Sequence, residues 1–258
     1  MLEIRQLSVA VEGREILHDI NLNIGVGETH VLFGPNGSGK TTLLMSIMGF
    51  PKYQVTSGSI FFDGQDITGL PPDERARMGI GISFQRPPVV RGVKTRDMVA
   101  ACLRTEAKAE DINQLAIKAD LADFLDREIN YGFSGGEIKR SELMQLLAQK
   151  PRLTLLDEPE SGVDLENIVL IGELMNDLLE KDCPMRERRC MELIITHTGH
   201  ILDYVNASTG YIMINGRIGC QGYPREMLAS IKEKGYEECV NCILRGGQDD
   251  RSEIVGGV

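Results

Sequence analysis

The sequence lacks the features of a membrane-spanning or disulfide-bonded secreted protein. No stretch approaches the roughly 18 consecutive apolar residues that a transmembrane helix needs. Six cysteines in 258 residues are too few for a disulfide framework, which indicates a reducing compartment. The segment Met1–Gly13 carries charge where a signal peptide would be apolar. We therefore expect a cytoplasmic protein with no direct membrane insertion.

Positive charge is also in short supply. Lys and Arg number 28 against 38 Asp and Glu, which gives a formal net charge of −10. A negative surface argues against broad binding to nucleic acid or to an anionic membrane. We therefore expect no nucleic-acid partner. The sequence shows no repeat of roughly 20–50 residues and no low-complexity block, so nothing in it predicts a repeat architecture.

Short apolar runs and helical patterns alternate along the chain, which predicts an α/β fold around a parallel, doubly wound sheet. The segment Glu3–Ile24 alternates apolar and polar residues and turns at Glu12–Arg14, as a β-hairpin does. Thr95–Leu125 has helical spacing without a strand pattern and predicts a helical insert. The other predicted elements are the strands Thr29–Phe33, Gly58–Asp63, Gly79–Phe84, Leu153–Leu156 and Glu192–Thr196, and the helices Thr42–Phe50, Gly136–Gln149 and Leu165–Lys181.

A glycine-rich segment between a predicted strand and a predicted helix carries the first chemical signal. Gly34–Thr41 reads GPNGSGKT and matches the phosphate-loop pattern G-x-x-x-x-G-K-[ST]. Glycines let the backbone wrap closely around phosphate oxygens, and the helix N-terminus adds a positive dipole. Lys40 would place a cation between the β- and γ-phosphates, and Thr41 would offer a hydroxyl to Mg²⁺.

Two acids follow a second predicted strand. Leu153–Leu156 is apolar, and Asp157 and Glu158 come directly after it. Parallel sheets hold their ligands at the carboxyl ends of the strands, so these carboxylates are expected near the phosphate loop. Asp157 would then complete the magnesium shell, and Glu158 would polarise the attacking water.

A second glycine-rich helix start, Phe133–Glu137, reads FSGGE. The chain already has one phosphate loop, so this start predicts an anion site that faces the nucleotide of another subunit. At this point the chain resembles the ABC ATPase family, from Glu3 to about Gly235. The resemblance implies a transient, nucleotide-dependent homodimer, with Ser161–Asp164 at its seam.

The resemblance also implies roles for two further residues. Gln85 would couple Mg²⁺ and the water molecule to the docking of a partner, and His197 would contact the γ-phosphate. The predicted site residues are Gly34, Pro35, Asn36, Gly37, Ser38, Gly39, Lys40, Thr41, Thr42, Ser134, Gly135 and Gly136 for ATP, Thr41, Gln85 and Asp157 for Mg²⁺, and Gln85, Glu158 and His197 for catalysis.

The family's fold is a P-loop (RecA-like) nucleotide-binding domain with an N-terminal antiparallel β-subdomain and a helical subdomain. Here it would be a single domain over residues 1–245, with the helical subdomain at about 89–134 and a flexible tail at 246–258. Val11 stands where the family usually stacks an aromatic side chain on adenine, which leaves the base preference open.

Within the family the chain is most similar to SufC-like ATPases of the Suf iron–sulfur cluster assembly system. This implies ATP hydrolysis that drives a conformational change in a scaffold complex, with a SufB/SufD-like scaffold protein as partner. Departures from the pattern are Pro159-Glu160 and the longer stretch Lys181–Arg189. The matching segments outside the universal motifs are Val9–Glu12, Tyr53–Gly58, Phe84–Pro88, Gly132–Glu137 and Ile201–Tyr204.

Two other classes of function stay open. The ATP-binding subunit of a membrane importer would carry the same universal motifs. A soluble ABC protein of translation usually has two cassettes in one chain, whereas this sequence has one phosphate loop.

The cysteines raise a separate question. Cys183, Cys190, Cys239 and Cys242 would hold zinc or a cluster only if the two pairs met in space, and we expect ordinary free thiols. No run of three or four cysteines has the usual cluster spacing, so cluster chemistry itself should not reside in this chain.

Overall fold

The computed structural model describes residues 1–103 and 108–236. In these ranges the strands are β1 Leu2–Val11, β2 Arg14–Ile24, β3 Thr29–Phe33, β4 Tyr53–Phe62, β5 Gln65–Asp66, β6 Ile80–Ser83, β7 Leu153–Asp157, β8 Met191–Ile195, β9 Thr209–Ile214 and β10 Arg217–Gly222. The α-helices are α1 Lys40–Met48, α2 Pro72–Met78, α3 Thr95–Cys102, α4 Ala109–Lys118, α5 Gly135–Gln149, α6 Leu165–Leu178 and α7 Pro224–Lys234.

The N-terminal strands form an antiparallel sheet in the order β2-β1-β4-β5. The predicted hairpin is confirmed, and it turns at Glu12 and Gly13. The strand predicted over Gly58–Asp63 is longer, because β4 continues through a bulge at Gly58, which has φ +80°. A Cβ there would lie 2.3 Å from the carbonyl oxygen of Gln6, so only glycine fits.

A second sheet of six strands has the order β10-β9-β3-β8-β7-β6. Five of its strands run parallel, which confirms the prediction of a parallel sheet for them, and β10 pairs antiparallel with β9 at one edge. The carboxyl ends of β3, β6, β7 and β8 lie at one edge of the sheet. The loops that leave these ends carry the predicted phosphate loop and the predicted catalytic residues.

The two faces of the six-stranded sheet bury different apolar clusters. Leu32 of β3 and Leu193 of β8 point into a cluster shared with the antiparallel sheet and α1. Val31 and Ile194, one residue away on the same strands, point into a cluster shared with α5, α6 and the inserted helices. This alternation follows from the two-residue period of a strand. It fixes the orientation of the loops at the strand ends.

The predicted helical insert consists of α3, α4 and a 3-10 turn over Ala122–Phe124. Val99 and Ala116 from this region are buried in the same apolar cluster as α5. The limits of a helical subdomain at residues 89–134 stay a prediction. The predicted tail 246–258 lies outside the described residues.

Candidate functional site

The glycine-rich loop Gly34–Thr41 joins β3 to α1, as the sequence pattern predicts. Two of its glycines are required by close contacts with other parts of the chain. A Cβ on Gly34 would lie 2.3 Å from the carbonyl oxygen of Met213, and one on Gly39 would lie 2.7 Å from the Leu17 side chain. Gly39 also has φ +108°, which side-chain-bearing residues rarely adopt. The helix begins at the next residue, so its free N–H groups face the loop.

Lys40 is buried within this loop. Its Nζ donates hydrogen bonds to the carbonyl oxygens of Gly34, at 2.9 Å, and Pro35, at 3.0 Å. Burial lowers the pKa of Lys40, and the nearby carboxylates of Glu158 and Asp157 oppose that shift. The ammonium group therefore lies where it would meet the negative charge of a polyphosphate.

Thr41 and Asp157 supply oxygen ligands next to the loop. Thr41 Oγ1 donates a hydrogen bond of 2.9 Å to Asp157 Oδ2. Asp157 Oδ1 is buried and has no hydrogen-bond partner within residues 1–103 and 108–236. Burial raises the pKa of Asp157, and the bond from Thr41 opposes this shift. A hydroxyl beside an unpaired carboxylate oxygen matches the ligand preference of Mg²⁺.

The three residues predicted for catalysis lie together. Glu158 Oε2 accepts a hydrogen bond of 2.8 Å from Gln85 Nε2, and Glu158 Oε1 lies 2.6 Å from His197 Nε2. Gln85 follows β6, Glu158 follows β7 and His197 follows β8, so three neighbouring strand ends bring them together.

The second glycine-rich helix start forms a capping box. Ser134 Oγ accepts a bond of 3.3 Å from the Glu137 N–H, and Glu137 Oε2 accepts one of 2.6 Å from the Ser134 N–H. Ser134 and Gly135 are exposed. A Cβ on Gly135 would lie 2.6 Å from the carbonyl oxygen of Gly162, so the helix start packs against the Ser161–Asp164 loop.

The helix start is not joined to the phosphate loop of the same chain. Among the described residues, no hydrogen bond links Ser134, Gly135 or Gly136 to the Gly34–Thr41 loop. The structure therefore brings the phosphate loop, Asp157, Glu158, Gln85 and His197 into one cluster, whereas Ser134 and Gly135 of the FSGGE segment are exposed outside it.

Sequence patterns missed a buried ion pair between Lys139 and Glu142, which contacts Phe84, the residue before Gln85. Lys139 Nζ donates a bond of 2.6 Å to the Phe84 carbonyl oxygen, and Glu142 Oε1 accepts one of 2.9 Å from the Phe84 N–H. Glu142 Oε2 accepts another of 2.8 Å from Ser83 Oγ. Burial raises the pKa of Glu142 to about 7. The sequence signal that could have revealed this pair is the spacing of Lys139 and Glu142, two charged residues three positions apart on a predicted helix. Both side chains are buried.

Glu160 was noted only as a departure from the family pattern. It is buried, and its Oε1 accepts hydrogen bonds from the hydroxyls of Thr196 and Thr198. The acid therefore touches both neighbours of His197.

At the position expected to contact adenine, Val11 pairs with Arg14 across the hairpin and with Tyr53 of β4. The contact of this strand end with a base stays a prediction.

The cysteines of the described ranges form no metal site. Cys102 and Cys220 are partly buried against an apolar cluster, whereas Cys183 is exposed. Burial raises the pKa of Cys190 to about 12. Within residues 1–103 and 108–236, no three His, Cys, Asp or Glu side chains are grouped to hold a metal ion. The two remaining cysteines, Cys239 and Cys242, lie outside the described residues.

The longer stretch Lys181–Arg189 forms an ordered loop. Arg188 donates hydrogen bonds to the carbonyl oxygens of Cys183 and Lys181, and the Arg189 N–H donates to Glu180. None of the α-helices described above has the length and apolar character needed to cross a membrane.

Comparisons with known proteins agree with this geometry. The family model described as ABC transporter matches residues 17–161. A probable ATP-dependent transporter, ycf16, of Cyanidium caldarium is 40% identical over 250 residues, which cover 92% of this chain and 95% of the relative. A probable ABC transporter ATP-binding protein of Streptococcus pyogenes serotype M18 is 36% identical over 92% of this chain and 93% of its own.

Solved structures show the same fold. A nucleotide-free ATP-binding cassette from an ABC transporter superposes with a TM-score of 0.75 at 22% identity, covering 94% of this chain and 98% of that chain. An ATP-binding cassette in its ADP conformation superposes with a TM-score of 0.73 at 23% identity, covering 95% and 98%. The chain therefore belongs to the ABC transporter family, and it is an ATP-binding, ATP-hydrolysing enzyme of that family.

Proposed function

We propose that this chain is the cytoplasmic ATPase subunit of an iron–sulfur cluster assembly complex, and that its partner is a SufB/SufD-like scaffold protein. The observation that carries the proposal is the similarity to SufC-like ATPases in residues that flank the universal motifs, above all in the segments Phe84–Pro88 around Gln85 and Gly132–Glu137 around Ser134–Gly136. The first of these segments borders a groove of the structure.

That groove is the best place for a partner to act on the site. A cavity of about 180 Å³ lies between the segment after β6 and helices α3 and α5. Phe84, Pro87, Pro88 and Glu142 are among its lining residues. Val89 and Tyr131 beside it are exposed, with 48% and 56% of their surface accessible. A protein seated there would contact the residues that adjoin Gln85 and so influence the catalytic cluster.

Within the chain, the nucleotide would bind on Gly34–Thr42, with Lys40 balancing the charge of the phosphates. Thr41, Gln85 and Asp157 would hold Mg²⁺, which when bound neutralises negative charge on the phosphates. Glu158 would take a proton from the attacking water as the new bond to the γ-phosphorus forms and the bond to ADP breaks.

His197 would orient the γ-phosphate opposite Glu158. The imidazole of His197 already contacts the Glu158 carboxylate. Ser134, Gly135 and Gly136 would come from a second copy of the chain, because Ser134 and Gly135 are exposed and none of the three is hydrogen-bonded to the phosphate loop of its own chain among the described residues. Hydrolysis would therefore require a transient homodimer, and a scaffold that holds two copies together would accelerate it.

A second candidate function is the ATP-binding subunit of a membrane importer. The names of the relatives from Cyanidium caldarium and Streptococcus pyogenes, which describe transporters, favour it. The catalytic proposals above are the same for both candidates. Only the partner differs.

Affinity purification of the full chain from its own cells decides between them. We expect a soluble partner that raises the ATPase rate and that binds an iron–sulfur cluster when the two proteins are reconstituted. Recovery of an integral membrane protein from the detergent extract, with no soluble partner, would overturn the scaffold proposal in favour of an importer.

Two exposed tyrosines allow a test of whether the partner docks at this groove. Tyr131→Ala should reduce the stimulation by the partner and leave the basal ATPase rate unchanged. Tyr223→Ala, at an equally exposed residue before α7, is the matched control and should change neither. Equal stimulation of both variants would show that the partner docks elsewhere.

A further inference from the structure

Glu160 lies two residues beyond Glu158, in the segment that connects β7 to α6. It is 8% exposed, although carboxylates are rarely buried without a cation beside them. Its Oε1 accepts hydrogen bonds from Thr196 Oγ1 and, at 3.2 Å, from Thr198 Oγ1. One oxygen atom therefore holds the residues on both sides of His197.

The threonine next to β8 has a second bond that extends this arrangement. Thr196 Oγ1 accepts a hydrogen bond of 2.8 Å from the Gly199 N–H while it donates to Glu160. The backbone turn from Thr196 to Gly199 is thus tied to the segment that carries Glu158. Within this turn, His197 has its Nε2 2.6 Å from Glu158 Oε1.

We infer that Glu160 is a positioning residue for His197: it holds the hydroxyls of Thr196 and Thr198 and so fixes the imidazole beside Glu158. The inference rests on the catalytic role proposed above for His197. Without Glu160, the buried hydroxyl of Thr196 and the hydroxyl of Thr198 would lose their common acceptor, and the turn would gain freedom. Small displacements of a group that contacts the reacting atoms are costly, of the order of 10²-fold in rate for about 1 Å.

The second oxygen of Glu160 suggests a conservative replacement. Oε2 is buried, and no residue in the described part of the chain forms a hydrogen bond with it. Burial also raises the pKa of Glu160, against the bond from Thr196. An amide oxygen accepts the same two bonds without a charge. Glu160→Gln should therefore retain the function, whereas Glu160→Ala should not.

The test compares these variants by steady-state ATPase kinetics in the presence of the partner and by nucleotide titration. Glu160→Ala should lower kcat by about 10–100-fold and leave the Kd for nucleotide unchanged, because the phosphate loop is a separate segment. Glu160→Gln should recover most of the lost rate. Glu173→Ala, at an exposed acid of α6, is the control for a general effect of removing a carboxylate.

The dependence on His197 is measured in a double-mutant cycle. In the His197→Ala background, Glu160→Ala should cause no further loss of kcat, because the group that it positions is already absent. An equal loss of kcat in both backgrounds would overturn the inference. So would a Glu160→Ala variant with wild-type kcat while His197→Ala is slow. If His197→Ala itself hydrolyses ATP at the wild-type rate, the proposed role of His197 is wrong, and this inference with it.

A milder variant keeps the inference testable if Glu160→Ala does not fold. Thr198→Val removes one of the two hydrogen bonds to Glu160 and keeps the shape of the side chain. It should lower kcat by less than Glu160→Ala does, again with unchanged nucleotide affinity. If Glu160→Ala does not fold, full wild-type kcat in Thr198→Val together with reduced kcat in Glu160→Gln would contradict the proposed positioning.

Discussion

Thr41 Oγ1 donates a 2.9 Å hydrogen bond to Asp157 Oδ2 across 116 positions of sequence. The bond connects the first turn of α1 with the carboxyl end of β7. It therefore holds the hydroxyl oxygen of Thr41 beside the carboxylate oxygens of Asp157. It also leaves Asp157 Oδ1 buried and unpaired among the described residues. This pair of residues is where we expect Mg²⁺ to enter the site.

Asp157→Asn should weaken ATP binding only when Mg²⁺ is present. The amide oxygen still accepts the bond from Thr41, but the negative charge that would hold the cation is gone. We expect the Kd for ATP with Mg²⁺ to rise at least about tenfold, as for the loss of one charge-assisted interaction. Calorimetric titration with Mg²⁺ and with EDTA measures this, and Asp126→Asn, at an exposed acid paired with Arg96, is the control. An unchanged Kd with Mg²⁺ would remove Asp157 from the metal site.

Glu158→Gln should retain ATP and Mg²⁺ binding, because Lys40, Thr41 and Asp157 remain. It lacks the carboxylate that we propose polarises the attacking water, and loss of a general base typically lowers the rate by about 10²–10⁴-fold. The nucleotide-bound dimer should persist, so gel filtration with ATP and Mg²⁺ should show a larger species than wild type with ADP. Near-wild-type hydrolysis in the presence of the partner would mean that another group activates the water, with His197 the next residue to test.

Mixing two inactive variants tests the composite site. A head-to-tail dimer of one Lys40→Ala chain and one Ser134→Arg chain has one site with both lesions and one site with neither. Partial ATPase activity should therefore return on mixing, where each variant alone is inactive. The control is a mixture of two differently tagged Lys40→Ala chains, which should stay inactive. Full activity of either variant alone would refute the role assigned to its residue.

Arg75 is expected to contribute to stability rather than to chemistry. It is 1% exposed, and burial lowers the pKa of its guanidinium to about 10. Its hydrogen bonds go to the carbonyl oxygens of Ser46, Ile47, Thr68 and Leu70. Arg75→Leu removes all four of these hydrogen bonds and should lower the free energy of unfolding by about 3 kcal/mol.

Urea unfolding measures the effect of Arg75→Leu. The control, Arg77→Leu, changes an exposed arginine that pairs with Asp73 on the surface, and should alter the free energy of unfolding by under about 0.5 kcal/mol. Equal destabilisation by the two changes would show that the buried hydrogen bonds of Arg75 contribute no more than a surface ion pair.

The raised pKa of Glu142 predicts how the free energy of unfolding depends on pH. Its pKa is raised to about 7 in the folded state, chiefly by burial, against a usual value of 4.5. The folded state therefore binds this proton more tightly than the unfolded state, and the resulting stabilisation is lost as the pH rises through about 7. Glu142→Gln has no such proton, so its free energy of unfolding relative to wild type should increase by about 1–3 kcal/mol from pH 5 to pH 8.

Urea unfolding at several pH values tests this linkage. Glu128→Gln, at a residue whose carboxylate accepts a bond from the Gly92 N–H, is the control for the general effect of replacing a carboxylate by an amide. A pH-independent difference in the free energy of unfolding between Glu142→Gln and wild type would mean that Glu142 titrates alike in both states.

The sequence alone determined the order of the strands and helices that carry the phosphate loop. Local patterns are sufficient for this, because the two-residue period of a strand and the GKT helix start depend on neighbours in sequence. The residues of the phosphate loop, Asp157 and Glu158 were predicted for the same reason. The bulge that extends β4 past Gly58 was not predicted, because it depends on the pairing with β1.

Only the tertiary structure decided which distant side chains meet. Gln85, Glu158 and His197 lie far apart in sequence, and they touch because β6, β7 and β8 are neighbours in one parallel sheet. The buried charges of Glu142 and Glu160 were not predicted, because burial is a property of the packed helices and loops around a residue. A carboxyl group on a helix or in a loop is usually solvated, and what distinguishes these two is the set of donors that the fold places against them.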